Sequence, residues 1–190
     1  MIIGKSYQFT NANRPIAVFD MDGTLVETDE ANSAAYKRAL RNAGIGSTKG
    51  LTGRISATVI RKSFPLLGMS EMNEIVRQKV AAYVHELWRT QLGLAAEAMS
   101  WVVANRSRFG KLVLLTDSSE RRAMETLRYH QLDALFDEIV CNGGRGDKYV
   151  NYFKGYDSDP AACIVWENES GMVRSAIAAG VKFNNVRKVA

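Results

Sequence analysis

Two aspartates one residue apart, Asp20 and Asp22, close the apolar run from Ile16 to Phe19 and are followed at once by Gly23 and Thr24. A run of this kind breaking into a glycine turn reads as a short buried strand that opens into a loop. In extended backbone, side chains two residues apart point the same way, so both carboxylates can face one site at the strand's carboxyl end. Acids this close repel each other, and a site that keeps both needs a cation or divided roles. The division makes Asp20 a nucleophile that attacks phosphorus to give an aspartyl-phosphate. Asp22 is then the general acid and base, protonating the leaving oxygen and later activating water. Set against this is a strand end with two solvated acids, since Asp-Gly is a common turn.

Other residues supply what a phosphate needs. Thr116 follows the apolar run Lys111 to Leu115, where its hydroxyl and the N–H groups opening the next helix can bind phosphate oxygens; plain helix capping by Thr116-Asp117-Ser118-Ser119 is compatible with that role. Lys148, after the glycine-rich turn 142–146, can neutralise both the phosphate and the nucleophile, with Arg145 as a rival for the same task and a solvated lysine as the plain alternative. Glu167-Asn168-Glu169 follows another apolar run and brings carboxylates toward a magnesium ion, which prefers oxygen ligands.

The elements that must position these residues alternate. Residues 30–43 carry alanines and Leu40 at helical spacing, stopped by Gly44. Residues 44–53 read as loop, Ile55 to Phe64 as a helix ended before Pro65, and a third helix, capped by Ser70, carries the stripe from Met72 to Trp88. From Thr28 to Leu92 no strand is expected. Beyond that come a helix over 95–107, a strand Lys111 to Leu115, a helix to Tyr129, a strand Phe136 to Cys141 and a short helix Tyr149 to Phe153. A strand Ala162 to Trp166, a helix Met172 to Ala179 and a last strand Val181 to Phe183 complete the pattern. The alternation predicts an α/β fold, a doubly wound, mostly parallel Rossmann-like sheet formed by residues 1–27 and 93–190, with 28–92 as an inserted helical domain beside the first strand's carboxyl end.

Composition bounds the function classes. A chain of 190 residues with 46% hydrophobic residues can bury one good core or one core and a small appended unit. Cys141 and Cys163 lie in apolar runs and read as buried thiols of a reducing compartment rather than a disulfide framework. Residues 1–14 are too polar for a signal peptide and form a tail or an extra edge strand, and no run approaches the roughly 20 apolar residues of a membrane span. The expectation is a cytoplasmic monomer or homodimer. The net charge of +5 gathers mainly in residues 26–92, with no basic run or aromatic interleaving, so nucleic acid is not an expected partner.

Asp-Met-Asp-Gly-Thr, Leu-Leu-Thr, a lysine, and a glutamate-containing loop before Ser-Ala-Ile-Ala-Ala-Gly together resemble the haloacid dehalogenase superfamily. The resemblance covers nearly the whole chain beyond Arg14 and lies nearest the phosphatase and phosphomutase branch with a helical cap, as in phosphoglycolate phosphatase and β-phosphoglucomutase. It implies Asp20 as phosphorylated nucleophile and magnesium ligand, and Asp22 as acid and base that also offers its carbonyl to the metal. It further implies Thr116 and the Asp117 amide on the phosphate, with Gly23 and Thr24 as substrate contacts, and Lys148 on Asp20. The second acid of the first motif argues against dehalogenation.

The family's fourth-motif aspartate falls on Asn168, which lowers the expected magnesium affinity unless Glu167 or Glu169 compensates, and its Lys-Pro pair is Lys148-Tyr149 here. Arg54 lies in a loop resembling the cap's specificity loop and can bind an anionic group. The resulting expectation is a magnesium-dependent phosphatase of a small phosphorylated metabolite, with a phosphomutase or a degenerate phosphate-binding protein as rivals.

Overall fold

The computed structural model describes residues 2–4, 14–90, 93–94, 96–155 and 159–189. The chain divides into two compact units, 1–26 with 94–190 and 27–93.

The first unit is built on a six-stranded sheet in the order β1-β6-β5-β2-β7-β8. Its strands are β1 (Ile2–Gly4), β2 (Ile16–Phe19), β5 (Lys111–Thr116), β6 (Glu138–Cys141), β7 (Cys163–Glu167) and β8 (Val186–Lys188). All neighbours run parallel except β1, which lies antiparallel on β6. The sheet is therefore α/β, doubly wound and mostly parallel. From β2 the chain builds outward in one direction through β5 and β6, then returns to the other side for β7 and β8, so β2 stands where strand order reverses. Ligands of open α/β sheets bind at that reversal, beyond the carboxyl ends of the strands.

Both faces of the sheet are covered, and side-chain alternation decides what covers them. Val18, Val113, Leu115 and Val165 pack with Tyr149, Tyr152, Ala176 and Val181 in one buried cluster. On the opposite parity Phe19 stacks on Trp166 at 4.4 Å between ring centroids, and Trp101 leans on Trp166 at 4.2 Å. The helices are α4 (Ala96–Asn105), α5 (Glu120–Tyr129), α6 (Lys148–Gly155) and α7 (Ser170–Ala178).

The second unit holds α1 (Asp29–Asn42), α2 (Ala57–Ser63) and α3 (Met69–Arg89). Tyr36, Ala39 and Leu40 of α1 close with Met72 and Ile75 of α3 over Leu51, Ile55 and Ile60. Where the chain passes between the units, β3 (Val26–Glu27) and β4 (Gly93–Leu94) form a two-stranded sheet.

Several boundaries differ from the sequence expectation, two of them with a plain physical cause. Helix α3 starts at Met69, not after Ser70: the Glu71 carboxylate accepts the Gly68 N–H at 2.8 Å and closes the first turn one step earlier. The last strand is Val186–Lys188, because Phe183–Asn185 form a 3₁₀ turn with Phe183 exposed. Of residues 1–14, Ile2–Gly4 form the edge strand β1, while 5–13 lie outside the described residues, as do Leu92 and Ala95. Both cysteines are buried thiols. Among the described residues no helix is long and apolar enough to cross a membrane.

Candidate active site

Strand register brings the chemistry to one edge. Phe19 pairs with Leu114 on one side and Trp166 on the other, and the Asp20 N–H donates to the Trp166 carbonyl at 3.0 Å. Asp20 therefore leaves β2 beside the end of β7, two residues beyond Val18 as Glu167 is two beyond Val165. Both acids fall on the face covered by α6, whose first residue is Lys148.

The lysine sits between them. Its Nζ lies 2.6 Å from Asp20 Oδ1 and 2.8 Å from Glu167 Oε2, and all three side chains are almost wholly buried. Burial drives the Asp20 carboxyl above its ordinary range, opposed by the Lys148 charge and reinforced by Glu167 and Asp22. Burial alone would depress the Lys148 ammonium, but its two carboxylates outweigh that and hold it above its usual value, so it stays charged. Arg145, the rival cation, turns away and donates through Nε to the Asn142 carbonyl at 2.8 Å.

Glu167 is saturated in this arrangement. Its Oε2 also accepts the Tyr149 hydroxyl at 3.0 Å, and its Oε1 accepts the N–H groups of Asn168 and Glu169, each at 3.0 Å. Tyr149 is fully buried. Burial, then the charges of Glu167 and Asp20, push its phenol well above the ordinary tyrosine range, which keeps it a donor.

Asp22 is held from a different element. The Ser118 hydroxyl donates to its Oδ2 at 2.7 Å, and Arg122 reaches its Oδ1 at 2.5 Å. Neither partner was legible in the sequence, because the contact spans nearly a hundred residues; two basic residues, Arg121 and Arg122, stand in the first turn of α5 against the helix dipole, and the sequence does not choose between them. Thr116, at the end of β5, is buried and its Oγ1 accepts the Ser118 N–H at 3.1 Å, shaping the same loop. Asp117 is exposed and accepts from Asn142 Nδ2 at 2.6 Å.

Gly23 and Thr24 tie the first loop to the fourth. Thr24 Oγ1 lies 3.3 Å from Asp20 Oδ2 and 3.2 Å from Asn168 Oδ1. Gly23 has φ +79°, and a Cβ there would come within 2.2 Å of the Asn168 amide nitrogen, so conformation and space both require glycine. Glu169 is exposed and precedes α7. Arg54 belongs to the second unit, exposed and 3.4 Å from Asp29.

The donor set suits a hard cation in kind. Asp20 Oδ2 and Asn168 Oδ1 converge on the Thr24 hydroxyl, and oxygen ligands of this type are what magnesium takes. Glu167 cannot join them while it keeps its four donors. Among the described residues no cluster of three or more His, Cys, Asp or Glu is arranged to hold a metal.

Residues 17–186 match the family model described as haloacid dehalogenase-like hydrolase. A phosphorylated carbohydrates phosphatase of Thermotoga maritima is 27% identical over 179 residues, covering 87% of this chain and 81% of the relative. Among solved structures, CbbY of Rhodobacter sphaeroides in complex with phosphate superposes with a TM-score of 0.66 at 19% identity, covering 89% of this chain and 84% of that one. A subfamily IA hydrolase of the same superfamily from Geobacter sulfurreducens gives 0.62 at 21%, covering 88% and 84%. The chain belongs to the haloacid dehalogenase-like hydrolase family.

Proposed function

Taking a haloacid dehalogenase-like hydrolase as the premise, we propose that the chain is a magnesium-dependent phosphatase of small phosphorylated metabolites, of the sugar phosphate class, working through an aspartyl-phosphate. The observation that carries the reading is a buried carboxylate, Asp20, at the point where strand order reverses, held 2.6 Å from a lysine that stays charged. The carbohydrate phosphatase among the relatives, and the phosphate bound by CbbY, support the substrate class.

In the first half-reaction an Asp20 oxygen attacks phosphorus, the ester P–O bond breaks, and the leaving oxygen takes a proton from Asp22. In the second, water attacks the phosphoryl group, its proton passes to Asp22, and the bond to Asp20 breaks to release inorganic phosphate. Lys148 balances the phosphate charge beside the nucleophile, and Thr116 with the Asp117 N–H binds the phosphoryl oxygens. Asp20, the Asp22 carbonyl and Asn168 would hold the magnesium ion, which supplies charge neutralisation of the phosphoryl oxygens. Glu167 keeps the lysine in place. Residues 28–92 are read as a helical cap domain and 1–27 with 93–190 as the core domain, with Arg54 as the residue that takes an anionic group of the substrate.

The test is phosphate release from a panel of sugar phosphates with magnesium present, by wild type and Asp20→Asn. Wild type should turn over at least one ester, and the variant should lose at least about 10³-fold of that rate, since the nucleophile itself is removed. Turnover retained by Asp20→Asn would overturn the mechanism.

A further inference from the structure

Both oxygens of the Asp22 carboxylate receive donors from one short segment of α5 and the loop before it. Ser118 Oγ is 2.7 Å from Oδ2 and Arg122 is 2.5 Å from Oδ1, with the arginine and aspartate side chains only 20% and 15% exposed. Arg122 is the third residue of α5, where a cation meets the positive end of the helix dipole and is disfavoured. Its presence there is accounted for by the acid it holds. Asp20 and Asp22 are thus provided with separate protein cations, Lys148 for one and Arg122 for the other.

We propose that Arg122 is a positioning residue for proton transfer: with Ser118 it fixes the rotamer of Asp22, so that the carboxyl group meets the leaving oxygen of the ester. The inference rests on the phosphatase reading and adds to it a residue that no motif of the sequence singles out. The geometry is specific: one donor on each oxygen, both from the start of α5 and the loop before it, fixes the tilt and the torsion of the Asp22 carboxyl group. Positioned acid–base groups supply large factors, and a misplacement of about 1 Å can cost on the order of 10²-fold.

Leaving-group basicity separates this role from a structural one. p-Nitrophenolate departs as a stable anion and needs little protonation, whereas phenolate departs better with a proton; the two esters are otherwise of similar size. The experiment measures kcat/KM, which reports the first half-reaction, for phenyl phosphate and p-nitrophenyl phosphate on full-length wild type, Arg122→Ala and Arg122→Lys, with thermal melting of each. Arg122→Ala should lose roughly 30-fold on phenyl phosphate, part of the 10²–10⁴ that a placed general acid supplies, and under about fivefold on the nitrophenyl ester. KM should change less than kcat, and Arg122→Lys should recover most of the phenyl phosphate rate.

Equal losses on the two esters, or no loss on either, would overturn the proposal. A rise confined to KM would overturn it too, making Arg122 a phosphate ligand instead. Should Arg122→Ala fail to fold, Arg122→Gln keeps the stem and a donor without the charge, and the same inequality between esters decides. Failure of wild type to hydrolyse either ester would instead count against the phosphatase reading itself.

Discussion

Each unit of the chain buries a lysine, and the surroundings of the two differ. Lys148 in the first unit touches two carboxylates directly, at 2.6 and 2.8 Å. Lys79 in the second places its ammonium over two aromatic rings, 5.1 Å from the centre of Tyr36 and 5.4 Å from that of Tyr83. An ammonium leaving water loses several kcal/mol of hydration, which a nearby anion or, to a smaller extent, the negative face of a ring offsets. The aromatic solution joins Tyr36 of α1 to α3 and packs a helix pair. The carboxylate solution leaves two acids whose charge the lysine governs, and one of them is the candidate nucleophile. A buried lysine therefore marks a reactive centre through the acids that share it, not through burial alone.

The largest effect that sharpens this contrast is removal of the charge at each position. Lys148→Met strands Asp20 and Glu167 as buried like charges and should cost about 3–5 kcal/mol of stability in urea unfolding, with loss of turnover. Lys79→Met keeps the length of the side chain and gives up the ammonium's contacts with Tyr36 and Tyr83, and unfolded the same way it should cost less than Lys148→Met, because it strands no pair of buried acids at the candidate site. Equal costs would break the comparison.

Tyr149→Phe probes the support beneath the lysine. Deleting one hydroxyl leaves a lone pair of the buried Glu167 without its donor, and a hydrogen bond to a charged group is worth about 1.5–3 kcal/mol. Urea unfolding should show that loss, and kcat should fall as Lys148 shifts toward Glu167. Unchanged stability would mean that water replaces the phenol.

Asn168→Asp tests position 168 as a ligand of the proposed ion. A carboxylate in place of the amide should tighten magnesium by about tenfold in calorimetric titration, because ligand charge tunes the affinity of oxygen sites. The same change should lower stability without magnesium, since it adds a like charge near Asp20. Unchanged magnesium affinity would exclude position 168 from the ligand set.

Much of this was legible beforehand. The alternation of strands and helices predicted the doubly wound sheet. Strand periodicity put Asp20 and Asp22 on one face, but β2 ends at Phe19 and the two acids meet different partners, Lys148 and Arg122. Other features were not. On paper Lys148 is the preferred cation with Arg145 as its rival, and the start of α6 on the Asp20 face places Lys148 beside the acid while Arg145 bonds the Asn142 carbonyl. Glu167 reads as a metal ligand from its place after an apolar run, yet two backbone N–H groups, a lysine and a tyrosine occupy it. The cap of α3 went to Gly68 because a glutamate three residues on reached back to its amide.

The sequence by itself determined which residue types stand at the strand ends, since periodicity and turn chemistry are local and act within a few neighbours. Tertiary structure alone decided how charges were shared: Lys148 with Asp20 and Glu167, Arg122 and Ser118 with Asp22. Those pairings join residues far apart in the chain, and the energy of a buried charge depends on what the fold places within a few ångströms of it.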